Sequence, residues 1–241
     1  MKLLSYDIEI YNEIPENGDL HEVIPSVAAI GTTENDVQFF YDEPYMTKKT
    51  SKVLVNKMMD YYKDGYLPWG WNTVSFDFRL LAYYSGMIEE CSILALEGID
   101  GMLHITFNKG YYLVLDTALI GAKLETKLHH VQLKDGTMLD GMSGMLAPKM
   151  WRDGEIQAVM DYLRVDIVQP LKLVFAIEQN KGIKWTSKAG KPMFVGTKLM
   201  PTKDLFKLPE PDTSWMDSPK LRKDFVNWIP KEILKKYNIR V

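Results

Sequence analysis

Residues 2–11, KLLSYDIEIY, alternate along their length: Leu4, Tyr6, Ile8 and Ile10 point one way, while Ser5, Asp7 and Glu9 point the other. A strand with this pattern carries two carboxylates on one face, close enough to share a hard divalent cation such as Mg²⁺. An Asp-x-Glu pair on a strand's polar face is by itself most often solvent-facing. Its meaning therefore depends on what the rest of the chain brings to it.

Working outward, IPSVAAIGTT (24–33) and DVQFFYD (36–42) read as two further strands, with Gly31 and Asn35 marking the turn between them. A meander of three strands thus precedes the first helix. That helix is expected over 50–63, TSKVLVNKMMDYYK, where apolar residues recur at three- and four-residue steps until Gly65 stops them. YLPWGWN (66–72) fits a central strand whose Trp69 and Trp71 pack the core, and FDFRLLAYYSG (76–86) fits a helix ending at Gly86. YYLVLD (111–116), rich in β-branched and aromatic residues, reads as a buried strand.

From residue 155 a long helical pattern, EIQAVMDYLRVDIVQPLKLVFAIEQ, runs to 179, and Pro170 is expected to kink or divide it. GIKWTSKAGKPMFVG (182–196) could form a hairpin around Ala189 and Gly190, and a last amphipathic piece lies near Phe225 to Tyr237.

Composition narrows the chemistry. The 241 residues, 46% hydrophobic and 25% charged, suit a soluble α/β protein with one full-sized core and an appendage. No apolar run approaches the roughly 18 residues needed to span a bilayer. Acidic residues enter the N-terminal stretch too early for a secretory signal, so an intracellular, cytoplasmic protein without a membrane partner is expected. Cys91 is the sole cysteine, which excludes an intramolecular disulfide and a thiolate cluster and leaves oxygen or imidazole as metal ligands.

Charge is unevenly distributed: residues 1–180 hold 15 Lys and Arg against 26 Asp and Glu, whereas residues 181–241 hold 14 against 6. An acidic body of 1–180 and a basic C-terminal extension of 181–241 follow. The extension's lysines would either face solvent or strengthen backbone binding to a nucleic acid.

Two more motifs join the first carboxylates. Asp77 ends N-T-V-S-F-D, where Asn72 closes a strand and Phe76-Asp77 opens a helix, so its carboxylate can reach back toward the first strand. Tyr162 and Asp166, four apart on the long helix, share a face with Cβ atoms roughly 6 Å apart. Adjacent His129 and His130 cannot readily face one centre together and read as structural or surface residues. Lys149, Arg152 and Arg164, before or on that helix, are candidate phosphate contacts.

Asp-x-Glu on the first strand, Asn-x3-Phe-Asp after a central strand and Tyr-x3-Asp on a late helix, in that order, resemble the three motifs of the DEDDy branch of the DnaQ-like 3′→5′ exonucleases. The resemblance covers about residues 3–175. It is closest to exonuclease domains associated with family B DNA polymerases and their stand-alone relatives. It implies a ribonuclease-H-like fold, a five-stranded mixed sheet flanked by helices.

It further implies two Mg²⁺ or Mn²⁺ ions: Asp7 bridging both, Glu9 and Asp166 completing the first site, and Asp77 holding the second partly through water. Tyr162 would orient the attacking water, and Ile8, Asn72 and Phe76 would help position the terminal nucleotide. The expected partner is the 3′ end of single-stranded DNA, with RNA as the alternative substrate and a non-catalytic binding module as the alternative use of the fold. Proofreading would call for a separate polymerase partner, while repair, recombination or degradation roles are equally compatible.

Overall fold

The alternating stretch forms the middle of a sheet. In the computed structural model, which describes residues 1–34 and 36–240, strand β1 (Leu3–Ile10) lies antiparallel to β2 (Pro25–Thr32) and parallel to β4 (Leu67–Gly70). β3 (Gln38–Tyr41) adds to β2 antiparallel and β5 (Ile99–Asp100) adds to β4 parallel, giving the order β3-β2-β1-β4-β5. An antiparallel meander extended on its far side by two parallel strands, with helices on both faces, is the ribonuclease-H-like arrangement.

One face of β1 meets α1 (Lys48–Lys63), α2 (Asp77–Ser85) and α3 (Ile88–Glu97), where Leu4, Tyr6 and Ile8 pack with Leu54, Phe78 and Leu94. The other face lies under α6 (Ala147–Arg152) and α7 (Ile156–Asn180), where Val27 and Ala29 of β2 meet Val159, Leu163 and Ile167. The Ser5–Asp7–Glu9 face is thus covered too, which is why Ser5 and Glu9 are buried. Helix α4 (Gly101–Lys109) follows β5 directly.

Three local expectations change. Gly31 is no turn residue: it sits inside β2 opposite Ser5, and a Cβ there would lie 2.8 Å from Cγ2 of Ile167. Its bare backbone lets α7 close onto the sheet, bringing the neighbouring Asp166 over β1. Asn35, the other expected turn marker, lies outside the described residues. Residues 111–116 form no strand: the place beside β4 is taken by Ile99–Asp100, and the tyrosine pair leads into helix α5 (Leu115–Gly121). Strand propensity loses there to tertiary position. Pro170 does not divide α7, which runs unbroken for 25 residues.

A Gly31→Val substitution is expected to lever α7 away from β2, costing about 1–3 kcal/mol of stability by overpacking. A melting temperature equal to that of the parent would refute this account of the helix–sheet approach.

Residues 181–240 return to the body. The hairpin β8 (Gly182–Thr186) and β9 (Pro192–Gly196) buries Ile183, Trp185 and Val195 among Leu115, Leu119 and Ile177. The short helices α8 (Thr202–Leu205), α9 (Arg222–Val226) and α10 (Lys231–Lys236) send Leu205, Phe225, Val226 and Leu234 into the cluster that holds Leu4. Trp228 Nε1 donates to the Val74 carbonyl at 2.9 Å, tying this segment to the loop before Asp77. A small hairpin of β6 (His130–Gln132) and β7 (Met138–Asp140) precedes α6. No helix among the described residues is long and apolar enough to cross a membrane.

Candidate active site

The central strand presents Asp7 and Glu9 toward α7, and the ladder between β1 and β2 slips between Glu9 and Ile10, an irregularity that re-aims side chains. From α7, Tyr162 and Asp166 reach down one turn apart. Carboxylate oxygens of Asp7, Glu9 and Asp166 all lie within 4.8 Å of one another. The Tyr162 phenol stands beside Asp166, and the Lys127 ammonium contacts both. The loop before α6 closes the side: a Cβ on Gly144 would stand 3.9 Å from Glu9 Oε2 and 4.0 Å from the Tyr162 hydroxyl.

Asp77 opens α2 and is buried close enough to Asp7 for the two charges to act on each other, but it stands outside the group of three. Its position depends on the loop that precedes it, and that loop hangs on a buried acid. Asp100 Oδ1 accepts from the Asn72 and Met102 amides at 3.0 Å each, and Oδ2 from the Val74 amide at 3.1 Å. Asn72 itself takes the left-handed conformation, φ 66°, and its side-chain oxygen accepts from Ser75 at 2.5 Å.

Crowding of carboxylates in a buried place favours their protonated forms. Burial, then the Asp166 charge, pushes the Asp7 carboxyl up to about 7. Burial followed by Asp7 raises both Glu9 and Asp77 well above the ordinary range, and burial raises Asp166 despite the opposing Lys127. Burial and the neighbouring Asp166 also raise the Tyr162 phenol, so at neutral pH it carries its proton.

Four carboxylates face one ammonium. Lys127 Nζ donates to Asp166 Oδ2 at 2.5 Å and to the Tyr162 hydroxyl at 3.3 Å, and sits 5.4 Å from the centre of the Tyr162 ring. Burial works against its charge, yet Asp166 and Asp7 more than compensate and raise its pKa. A single cation cannot compensate four ionised carboxylates, which is why their protonated forms are favoured without further cations. Asp77 Oδ1 and Asp166 Oδ1 are moreover buried without a hydrogen-bond partner among the described residues. Orphaned carboxylate oxygens in an all-oxygen donor set fit hard divalent cations such as Mg²⁺ or Mn²⁺.

Two clefts open on this centre. One of about 810 Å³ is lined by Ile8, Glu9, Ile14, Phe76, Met145 and Tyr162, so it gathers Ile8 and Phe76. The other, about 410 Å³, is lined by Asp7, Trp71, Asn72, Tyr112 and Asp166 and gathers Asn72. Lys127 borders both.

The basic residues singled out near the late helix are engaged elsewhere: Lys149 with Asp153, Arg152 with the Tyr11 carbonyl, and Arg164 over the Phe39 ring at 5.1 Å. His129 and His130 turn to different acids, Asp116 at 3.2 Å and Asp140 at 2.6 Å. Trp69 is fully buried, while Trp71 is half-buried and donates to the Leu113 carbonyl at 2.7 Å. Lys127 and Asp100 escaped the sequence reading. Lys127 sits in an irregular segment with no periodicity to mark it, and Asp100 has only the faint signal of an acid before a helix.

Fold and site together define a ribonuclease-H-like α/β protein with a carboxylate centre on its middle strand. Among solved structures, the chain is similar to the family B DNA polymerase from the hyperthermophilic archaeon Pyrobaculum calidifontis, at 17% identity and a TM-score of 0.43, over 74% of this chain and 24% of the polymerase. It is also similar to E. coli exonuclease I in complex with a 5cy-dT13 oligonucleotide, at 12% identity and a TM-score of 0.38, over 75% of this chain and 40% of the exonuclease. The chain spans less than half of either protein. No protein-family model and no curated protein matches the sequence.

Proposed function

We propose that this protein is a metal-dependent 3′→5′ exonuclease that releases nucleoside monophosphates from single-stranded DNA. The observation that carries the proposal is the convergence of Asp7, Glu9 and Asp166 oxygens within 4.8 Å, with Asp77 behind Asp7 and the Tyr162 phenol beside Asp166. The polarity and the choice of DNA rest on the motif order alone.

Asp7, Glu9 and Asp166 would hold one divalent ion, and Asp77 with Asp7 a second. Ions bound there would lower the pKa of an attacking water and offset charge on the departing 3′ oxygen. The protein's part is positional. Tyr162, protonated at neutral pH, is suited to orient that water rather than deprotonate it. The Lys127 ammonium borders both clefts and can meet a phosphate at the centre. In the balanced reaction water adds at phosphorus, the bond to the penultimate 3′ oxygen breaks, and that oxygen takes up a proton.

A 5′-labelled DNA strand incubated with Mg²⁺ or Mn²⁺ should yield a descending ladder that EDTA abolishes. Absence of any ladder across both metals and a range of salt sinks the proposal, and a matched RNA strand cut faster than DNA replaces the substrate. Tyr162→Phe should lower kcat about 10–100-fold, the range for losing one positioned hydrogen-bonding group, with strand affinity unchanged. Equal kcat for the variant and parent would remove Tyr162 from the reaction.

A further inference from the structure

The cleft that holds Asn72 does not end at the carboxylates. At its outer edge stands Tyr112, 47% exposed, although it is aromatic and follows the half-buried Tyr111. Its ring packs against Phe225 in a T-shaped contact, 5.8 Å between ring centres, and the Lys220 ammonium lies 4.9 Å from its centre. Both residues belong to the C-terminal segment.

Lys220 in turn lines a further cleft of about 380 Å³, together with Lys223 and Arg240. All three are exposed, and among the described residues none has a carboxylate within 4.0 Å. Glu210 is the acid in the same wall, and Asp224 acts on Tyr112 from nearby, so the balance is positive but not saturated. Arg222, which also borders the cleft, is already spent: its guanidinium donates to the carbonyls of Phe206, Leu208, Phe107 and Pro209. The fold thus sorts the basic residues here into one that ties the segment down and three that, among the described residues, no carboxylate holds.

We propose that Tyr112, Lys220, Lys223 and Arg240 form a binding track for the single DNA strand beyond the carboxylate cleft, with a base taking the place of the Lys220 ammonium on the Tyr112 ring as that ammonium moves to a phosphate, and backbone phosphates along the three cations. This deepens the exonuclease proposal above and rests on it. An exposed aromatic interleaved with unpaired cations is the arrangement that holds single strands without reading their sequence. The continuity is physical, since Tyr112 lines the carboxylate cleft and meets Lys220, which lines the next one. It also assigns a use to part of the basic C-terminal segment, which the carboxylate chemistry leaves unexplained.

The test measures fluorescence anisotropy of labelled dT16 and dT3 in Ca²⁺, alongside hydrolysis of an unlabelled dinucleotide in Mg²⁺. The triple variant K220E/K223E/R240E should bind dT16 about 10-fold or more weakly, with a shallower dependence on salt, each lost phosphate contact removing part of the slope. Tyr112→Ala should weaken dT16 by roughly 5-fold or more, in line with losing one stacked base. Binding of dT3 and hydrolysis of the dinucleotide should match the parent for the triple variant, whose three residues lie outside the carboxylate cleft.

The control reverses Lys231, Lys235 and Lys236 on α10, which are exposed but do not line the cleft. Unchanged dT16 binding in the first variant overturns the track, and so does an equal loss in the control, which would mean diffuse charge. A parent that binds dT16 through these residues yet hydrolyses nothing would overturn the exonuclease proposal while leaving the track standing. Circular dichroism melts of each variant confirm folding.

Discussion

Asp7→Asn should abolish strand hydrolysis, by about 10³-fold or more, while making the metal-free protein more stable. The two effects have one cause. Asp7 is pressed among Glu9, Asp77 and Asp166, so its charge is costly in the absence of cations and indispensable in their presence. The folded-state pKa of about 7 lies above the ordinary 3.8. The fold therefore favours the protonated carboxyl, and that contribution is fully present below about pH 4 and lost as pH rises to 7. Metal-free parent protein should accordingly melt lower at pH 7 than at pH 5, and Asp7→Asn should flatten that slope.

Divalent ions reverse the trend, since they compete with protons for the same oxygens. Mg²⁺ should raise the parent's melting temperature more at pH 7.5 than at pH 5.5 and leave Asp7→Asn nearly unmoved. Thermal melts with and without Mg²⁺ across this range read both. Retention of activity together with a full metal-dependent shift in Asp7→Asn would remove the carboxylate from the centre.

Lys127→Met should act with the opposite sign on the metal-free protein. Removing the ammonium leaves Asp166, whose side chain is only 2% exposed, without its 2.5 Å partner and with an Oδ1 that is already orphaned. Breaking a buried pair costs about 3–5 kcal/mol, but the Lys127 side chain is 28% exposed and Asp166 can take up a proton, so about 1–3 kcal/mol is expected. Hydrolysis should fall about 10–100-fold as a cation at the phosphate is lost, and the stabilisation by saturating Mg²⁺ should grow, because the ammonium no longer neutralises the same carboxylates. A metal-free melting temperature at or above that of the parent would contradict this electrostatic picture.

Much of this architecture is visible in local pattern. The two-residue alternation of LLSYDIEI marks β1, the mixed three- and four-residue steps mark α1 and α7, and Gly86 in the left-handed conformation ends α2 where expected. Those signals are short-range and survive in sequence because each records which side of one element is covered. The candidate site was visible for the same reason. Asp7 and Glu9 share a strand face, Tyr162 and Asp166 share a helix face, and Asp77 opens a helix after a strand, so each pair or single carries its own local constraint.

Lys127 carries none. It lies 39 residues from Asp166 in the chain and reaches it from a loop, so no repeat or cap announces it. The segment 111–116 failed in the opposite way, having a strong local preference for a strand that the sheet does not use. Ile99–Asp100 fills the place beside β4, and Asp100 there gathers four amides from two separate segments.

From sequence alone came the elements, the faces they bury and the acids they carry. Which strand closes the sheet, which cation sits among the acids and where residues 181–240 dock were decided by tertiary structure. The physical reason is range: side-chain periodicity encodes burial within one helix or strand. A glycine that admits a helix onto a sheet, or a lysine that answers a carboxylate across the fold, depends on contacts that exist only once the chain has closed on itself.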